Sequence, residues 1–324
     1  PFRVYTMSTK TDNNRRGLAI IALQGGLGNQ LFQFCAGLQL LSSTKNRVCF
    51  FEKFSFNFGA KRRSLAIREL LQELKCFKYL SLFLSPLMFF STKFKLRFAL
   101  NISSELGSSR IDSRFLLLNG WFQSYKLVSE VHDSLIKKFE NSSVYAPLVC
   151  VERINAVGVH LRFGDYEGSS KTREYHGLTA NSYFDEAIGY LKLKMTHIEK
   201  IIFVTDDLDR ARNTVKELLS CRASTPIEVI SSKPVEDMTT LSSCSGIVLS
   251  NSSFSWWAGY LGSSLRRSSV VAPTPWLATE SEFDHSLASP NWHFIKRLSF
   301  VILNSAFCKS YKCSCNSHHQ CKLD

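Results

Sequence analysis

A chain of 324 residues with 44% apolar and 12% aromatic content can bury two cores of ordinary size and is too apolar for a disordered segment. The formal net charge of +13 is unevenly placed: residues 1–150 hold 21 Lys and Arg against 9 Asp and Glu. A basic half attracts something anionic: phosphate, nucleic acid or an acidic membrane surface. The ten cysteines are too dispersed for a disulfide framework. Cys35, Cys49, Cys76, Cys150, Cys221 and Cys244 sit singly in apolar settings, as buried thiols in a reduced compartment do.

Residues 1–17 are polar and charged and are expected to be a flexible N-terminal segment. Leu18 to Leu23 reads as a buried strand, Gln24 to Gln30 as a Gly-rich turn, and Leu31, Phe34, Cys35, Leu38 and Leu41 recur at helical spacing. Strand, Gly-rich turn and helix together let a backbone approach a ligand at a helix N-terminus. The glycine spacing is not the dinucleotide fingerprint. Asn29 and Gln30 add two amides able to bond sugar hydroxyls.

Arg47 to Phe51 reads as a second strand and Glu69 to Leu80 as a helix. Leu82 to Phe90 is apolar, too short to cross a bilayer and interrupted by Pro86, so it reads as a core helix and turn. Phe115 to Gln123 is strand-like with a polar, aromatic end; a helix over Val128 to Phe139 and a linker over Asn141 to Pro147 close the first half.

The second half opens with a strand within Ala156 to Tyr166, which delivers His160, Arg162 and Asp165 to its carboxyl end. Alternation puts His160 and Arg162 on one face and Leu161 and Phe163 on the other. A guanidinium there can hold a phosphate bidentately, and a carboxylate can orient it. Tyr166 to Gly177 reads as a charged loop, and Asn181 to Leu193 as a helix capped by Asn181 or Ser182. Lys200 to Asp207 is a strand ending in Asp206 and Asp207, which read as ribose or base ligands or as helix caps rather than as a metal site. Helix Asp209 to Leu219, strand Ile227 to Ile230, helix Val235 to Ser243 and strand Gly246 to Leu249 follow. Asn251 to Ser255 opens a helix, and Ser253 and Ser255 there can cap it or bind phosphate with its free N–H groups. Ser269 to Pro273 is a last strand. The alternation implies a parallel sheet in each half. The Cys-rich tail, residues 296–324, carries Cys308, Cys313, Cys315, His318, His319 and Cys321 at spacings unlike those of paired zinc ligands, and reads as a frayed or locally cross-linked end.

The strings Gly25-Gly-Leu-Gly-Asn-Gln-Leu-Phe-Gln-Phe34, Gly120-Trp-Phe-Gln-Ser124, His160-Leu-Arg-Phe-Gly-Asp165, His176-Gly177, Thr205-Asp-Asp207, Asp237-Met238, Asn251-Ser-Ser-Phe-Ser-Trp-Trp257 and Val271-Ala-Pro273 resemble, in order, the α-1,2-fucosyltransferases of glycosyltransferase family 11. The resemblance runs from about Leu18 to Ile295. It implies an α/β fold of the GT-B type, two Rossmann-like parallel-sheet domains facing across a cleft. Residues 18–150 would form the N-terminal acceptor-side domain and 151–295 the C-terminal GDP-fucose-binding domain. It implies GDP-fucose as donor substrate, no further cofactor, and a galactoside-terminated oligosaccharide as acceptor. His160 with Asp206 or Asp207 would lie near guanine and ribose; Arg162 and the Phe254-Ser255 turn would hold the pyrophosphate, with Ser253 and Trp256 also on the donor side. Gly26 and Asn29 would face donor and acceptor, with Gln30, Gln123 and His176 on the acceptor side. Arg162, Asp165 and Asn29 stand as the catalytic set; Asp165, Glu52 and His176 are the candidate bases, and the departing phosphate is a further one. Where the family has two arginines, this chain has Arg162-Phe163, and alternation predicts that Phe163 packs away from the donor.

A single displacement needs the leaving diphosphate neutralised, which Arg162 and a helix N-terminus can do without a metal. One rival reading is another GDP-sugar-dependent fucosyltransferase acting on protein; the other, a basic nucleotide- or RNA-binding module, lacks interleaved aromatic and basic motifs, so no nucleic-acid partner is expected. The expected location is cytoplasmic, with peripheral membrane contact through the basic half. The alternative is the Golgi lumen, for a fragment that has lost its anchor, where the sequons at Asn101, Asn141 and Asn251 would matter.

Overall fold

The computed structural model of the chain describes residues 4–7, 17–44, 46–52, 66–71, 75–77, 99–100, 115–163, 179–219, 225–277 and 286–297. The first sheet is built from β1 (Val4–Met7), β2 (Gly17–Leu23), β3 (Asn46–Glu52), β4 (Lys75–Phe77), β5 (Ala99–Leu100) and β6 (Phe115–Leu118). Its order is β4-β1-β3-β2-β6-β5. Strand β2 is central and pairs in parallel with β3 and β6. Ala19 to Leu23 are all buried, which is why this strand is an unbroken apolar run rather than an alternating one. Helix α1 (Leu27–Ser43) crosses from β2 to β3. It is buried on nearly every side, so it is a central helix and not a surface one.

Helices α2 (Tyr125–Glu130), α3 (His132–Glu140) and α4 (Pro147–Cys150) lead into the second sheet. There β7 (Ile154–Leu161), α5 (Asn181–Lys194), β8 (Lys200–Thr205), α6 (Leu208–Leu219), β9 (Ile227–Ile230), α7 (Pro234–Ser243), β10 (Cys244–Val248), α8 (Ser253–Arg266), β11 (Ser269–Thr274) and β12 (His293–Lys296) alternate. The order β12-β11-β10-β7-β8-β9 is parallel throughout. This is the doubly wound Rossmann order, and it reverses direction between β7 and β10. In the first sheet the parallel order reverses between β2 and β6. Ligand crevices of open α/β sheets form at such reversals, outside the carboxyl ends of the strands.

The two sheets share one core. Phe32 of α1 lies 4.7 Å from the Trp256 ring and 5.1 Å from Trp257, both on α8. One buried cluster therefore runs from Ile21 and Phe50 through this aromatic group to Ile247 and Ala272. Val157, Val159 and Leu161 of β7 face a second cluster with Tyr183 and Phe203.

Several expectations are corrected. Val4–Met7, inside the segment expected to be loose, forms a strand antiparallel to both β3 and β4, so the first sheet is mixed rather than parallel. The helix expected over Glu69 to Leu80 is a 3-10 turn over Ala66–Leu71 followed by β4. Gln30 accounts for the turn, its Oε1 accepting from the Ala66 and Ile67 N–H groups at 2.9 and 3.3 Å. The helix expected over Val128 to Phe139 is two helices that break at Val131, whose φ of −108° and ψ of 10° are not helical. The expected linker Asn141 to Pro147 is anchored: Tyr145 is buried and its hydroxyl donates to the Ala66 carbonyl at 2.8 Å. Ala180, not Asn181 or Ser182, is the N-cap of α5, and Asn181 instead donates to Glu217 at 3.2 Å. Cys35, Cys49 and Cys244 are buried as expected, whereas Cys150 is exposed. Among the described residues no helix is long and apolar enough to cross a membrane. The Leu82 to Phe90 run, Asn101, the Cys-rich tail beyond Arg297, and the side chains of Cys76 and Cys221 lie outside the described residues.

Candidate active site

The reversal point of the second sheet lies between the carboxyl ends of β7 and β10. His160 is the penultimate residue of β7, and Ser250 lies two residues beyond the end of β10. Their side chains share a hydrogen bond, His160 Nδ1 to Ser250 Oγ, at 2.7 Å. The imidazole also packs against Phe254 of α8, with ring centroids 5.1 Å apart. Only 3% of His160 is exposed. Burial, reinforced by the Arg162 charge and opposed by Asp206, holds its pKa well below the ordinary histidine value. His160 therefore stays neutral at physiological pH and acts as a hydrogen-bonding group, not a cation.

Arg162 lies just beyond β7. Its Nη1 meets Asp206 Oδ2 at 2.7 Å, with about a fifth to a quarter of each side chain exposed. Asp206 Oδ1 accepts from the Phe163 N–H at 2.9 Å. Asp206 thus clamps the segment after β7 by both oxygens and orients the guanidinium, which has N–H groups to spare. This carboxylate comes from β8, not from Asp165, which lies with His176 outside the described residues. One of Asp206 and Asp207 was expected near guanine and ribose; Asp206 bonds Arg162 and the Phe163 N–H. Asp207 caps α6, its Oδ1 accepting from the Arg210 N–H at 3.2 Å. Phe163 packs against the Leu161 cluster, and the Arg210 guanidinium lies 4.6 Å over its ring. Strand alternation placed it on that side.

Helix α8 begins at this point. Ser252 is its N-cap and accepts from the Phe254 N–H at 3.3 Å. Ser255 has no exposed surface and donates to the Ser250 and Ser252 carbonyls at 2.8 and 3.0 Å. It braces the turn and is not placed to bond a phosphate. Ser253 is partly exposed in the first turn, beside Phe254. Trp256 is also corrected: it is fully buried, stacks on Tyr260 at 5.3 Å and donates to the Leu287 carbonyl at 2.8 Å. A paired Trp-Trp at the start of a helix reads equally well as a ligand face or as core, and the core wins both rings.

The Gly-rich turn meets that same helix end. A Cβ on Gly28 would lie 2.5 Å from the Ser253 carbonyl carbon and 2.6 Å from the Phe254 nitrogen. Only glycine allows backbone to touch backbone there. Trp257 Nε1 donates to the Gly28 carbonyl at 2.8 Å and locks the contact. Gly26 is the N-cap of α1 and offers no side chain, and the N-termini of α1 and α8 meet at this contact.

Gln30 is corrected from acceptor contact to brace. It is 3% exposed, donates to the Gly25 carbonyl at 2.9 Å and receives the Ala66 turn. Asn29 is only partly buried and accepts from Gln123 Nε2 at 2.8 Å. Two buried polar residues had no assigned role. Gln33, fully buried, accepts from the Gln24 N–H at 2.9 Å and donates to the Gly120 carbonyl at 3.2 Å, tying the ends of β2 and β6. Asp237 on α7 accepts from the Ser232 N–H at 2.9 Å, and burial raises its pKa to about 6. Gln33 lay inside the quoted Gly-rich string and Asp237 inside another, but neither had a local pattern that disclosed its partner. Glu52 ends β3. Among the described residues no group of three or more His, Cys, Asp or Glu side chains is arranged to hold a metal ion.

A Rossmann-ordered sheet with an oriented arginine and a helix N-terminus at its reversal point is a nucleotide-handling arrangement. Residues 2–296 match glycosyl transferase family 11, and the chain belongs to that family. It is similar to an alpha-1,2-colitosyltransferase of Escherichia coli, 26% identical over 277 residues, covering 81% of this chain and 93% of that protein. It is also similar to the O-antigen biosynthesis glycosyltransferase WbnK of Escherichia coli, 25% identical over 293 residues, covering 79% of this chain and 94% of that protein. The chain is a glycosyltransferase, with a nucleotide-sugar donor and a glycan acceptor.

Proposed function

We propose that the chain is an inverting α-1,2-fucosyltransferase that moves L-fucose from GDP-β-L-fucose to the 2-hydroxyl of a terminal galactoside. The observation that supports this best is the convergence of three separate motifs. The His160-Leu-Arg162 strand end, the Asn251-Ser-Ser253 turn and the Gly25-Gly-Leu-Gly28 turn meet around the α8 N-terminus. In this reading the two sheets are the halves of a GT-B-type fold with the donor between them. The similarity to a protein named for α-1,2 transfer agrees with the linkage.

The reaction is one displacement. The acceptor 2-oxygen forms a bond to the anomeric carbon as the bond from that carbon to the β-phosphate oxygen breaks. The electron pair leaves with GDP, and the hydroxyl proton passes to a base. Arg162, held in place by Asp206, and the N-terminal end of the α8 dipole meet the charge that develops on the diphosphate. No metal is needed for that task, so the reaction is metal-independent. Neutral His160 offers its free ring nitrogen as a hydrogen-bonding group without adding charge beside Arg162.

The test is transfer by EDTA-treated protein from GDP-fucose to lactose and N-acetyllactosamine, with linkage analysis of the product. An α-1,2-fucosylated galactoside is expected. Transfer that proceeds only with a colitosyl donor would instead move this chain to the activity its relative is named for. Activity lost to EDTA and restored by manganese would overturn the metal-independent step.

A further inference from the structure

We infer that Trp121, together with the Asn29–Gln123 amide pair, forms the acceptor subsite: the indole seats the apolar C–H face of a pyranose, and the amides bond its hydroxyls. This rests on the transferase reading and names the part of the site that reading leaves blank.

Four observations converge. The chain has five tryptophans, and four are at most 6% exposed; Trp121 is 48% exposed. An indole left half in water forgoes much of its burial free energy, so its exposure calls for a reason. The backbone is also strained to present it. Phe122 has a φ of 52°, the left-handed region that a bulky residue avoids, and it is itself buried at 1%. That reversal sends Phe122 into the core while Trp121 points outward and Gln123 turns toward Asn29.

Third, the place is the reversal point of the first sheet. Trp121 follows β6, and the Gly-rich turn follows β2, so the indole stands outside the carboxyl ends of the two strands where that sheet changes direction. It lies against the turn: a Cβ on Gly25 would come within 3.1 Å of the Trp121 ring and 2.6 Å of Asn29 Nδ2. Gly25 has a φ of 80°, so glycine is required there on two counts. Gln33 holds both loops from beneath.

Fourth, the amide pair is half satisfied. Gln123 Nε2 donates to Asn29 Oδ1. Among the described residues neither Asn29 Nδ2 nor Gln123 Oε1 has a protein partner. The pair therefore presents one donor and one acceptor side by side, which matches a sugar hydroxyl that gives and takes a hydrogen bond. An aromatic face beside a few convergent neutral polar groups is what an uncharged polyol requires.

The experiment is acrylamide quenching of intrinsic fluorescence in the full chain saturated with GDP, using lactose as the probe. Lactose should shield the quenchable tryptophan, and Trp121→Phe should abolish both the quenchable component and the shielding. In parallel, Trp121→Ala should raise the KM for lactose ~10-fold, while the GDP dissociation constant stays within about twofold. Trp121→Phe, which keeps a ring, should lose less. Lactose without effect on the quenching of wild-type protein that binds GDP overturns the inference. So does shielding by GDP alone, which would assign the indole to the nucleotide base. A chain that binds no GDP overturns the GDP-fucose reading, and the inference falls with it.

Discussion

The two reversal points are built from opposite chemistry. That of the second sheet is charged and closed: His160, Ser250 and Ser255 are bonded to one another, and Arg162 is fixed by Asp206. That of the first sheet is neutral and open, with amides, a strained Phe122 and an exposed indole. A diphosphate needs fixed positive charge in a dry setting, where it acts most strongly. An acceptor glycan needs an apolar face and adaptable hydrogen bonds. On the proposed reading, one fold motif used twice separates anion handling from polyol handling by side chains alone.

The largest break in that comparison is Arg162→Ala. It removes the cation that Asp206 orients at the end of β7 and leaves that carboxylate uncompensated. Transfer should fall on the order of 10²–10³-fold, and GDP affinity should fall with it. Lactose shielding of Trp121 should survive if the two points are independent. Calorimetry with GDP checks this, and unchanged GDP affinity in folded protein would remove Arg162 from the site.

Gly28→Ala comes next, because it strikes the contact between the two halves. The added methyl meets backbone atoms of Ser253 and Phe254, which cannot rotate away. Overpacking of this kind costs about 1–3 kcal/mol. Unfolding midpoint and GDP affinity should drop together, since α1 must back away from α8. A loss of stability with GDP binding intact would show that the α1 N-terminus does not touch the donor.

Why some of this was readable from sequence and some not follows from the range of the interactions. Strand β7 and its polar end were legible because an apolar run followed by His160 and Arg162 is a local pattern. The parallel second sheet was legible from the alternation of periods. Partners were not: Asp206 finds Arg162 and Phe163 across the sheet, and Gln30 caps a turn 36 residues away. Trp256 and Ser255 were misplaced for the same reason, since a helix start shows its residues but not which face the core claims. Strand β1 was hidden because its pairing with β3 and β4, not its composition, makes it a strand. The break at Val131 had no Pro or Gly to announce it.

Two buried groups give opposite pH signatures. Asp237 has its pKa raised to about 6, so its contribution is fully present below the unfolded carboxylate range and is lost as pH rises toward 6. His160 has its pKa lowered, so stability falls as pH drops below the ordinary histidine range, because the unfolded chain takes up the proton first. Between those limits the slopes oppose, and the wild type should vary little. Asp237→Asn keeps an oxygen for the Ser232 N–H and removes one slope. Its unfolding midpoint should exceed wild type at pH 7.5, match it near pH 4, and fall more steeply on acidification. Thermal melts across that range decide it; a variant parallel to wild type would show that Asp237 does not titrate as described.

The smallest expected effect concerns Phe163, next to Arg162 just beyond β7. Phe163 packs with the Leu161 cluster on the face of β7 away from His160, and the Arg210 guanidinium covers its ring. Full burial of such a ring is worth roughly 1.5–3 kcal/mol, and this one is partly buried, so about half of that is at stake. An arginine at this position would lose the packing and meet a second guanidinium at close range. Phe163→Arg should therefore lower the unfolding midpoint by a few degrees. GDP affinity should stay within about twofold, because the Phe163 N–H that bonds Asp206 belongs to the backbone and survives the change. The clamp on Arg162 then remains intact. The measurement is the pair of values, midpoint and GDP dissociation constant, on both chains. A tenfold gain in GDP affinity at an unmoved midpoint would put residue 163 on the phosphate side. The closed, charged reversal point would then be one cation short in this chain.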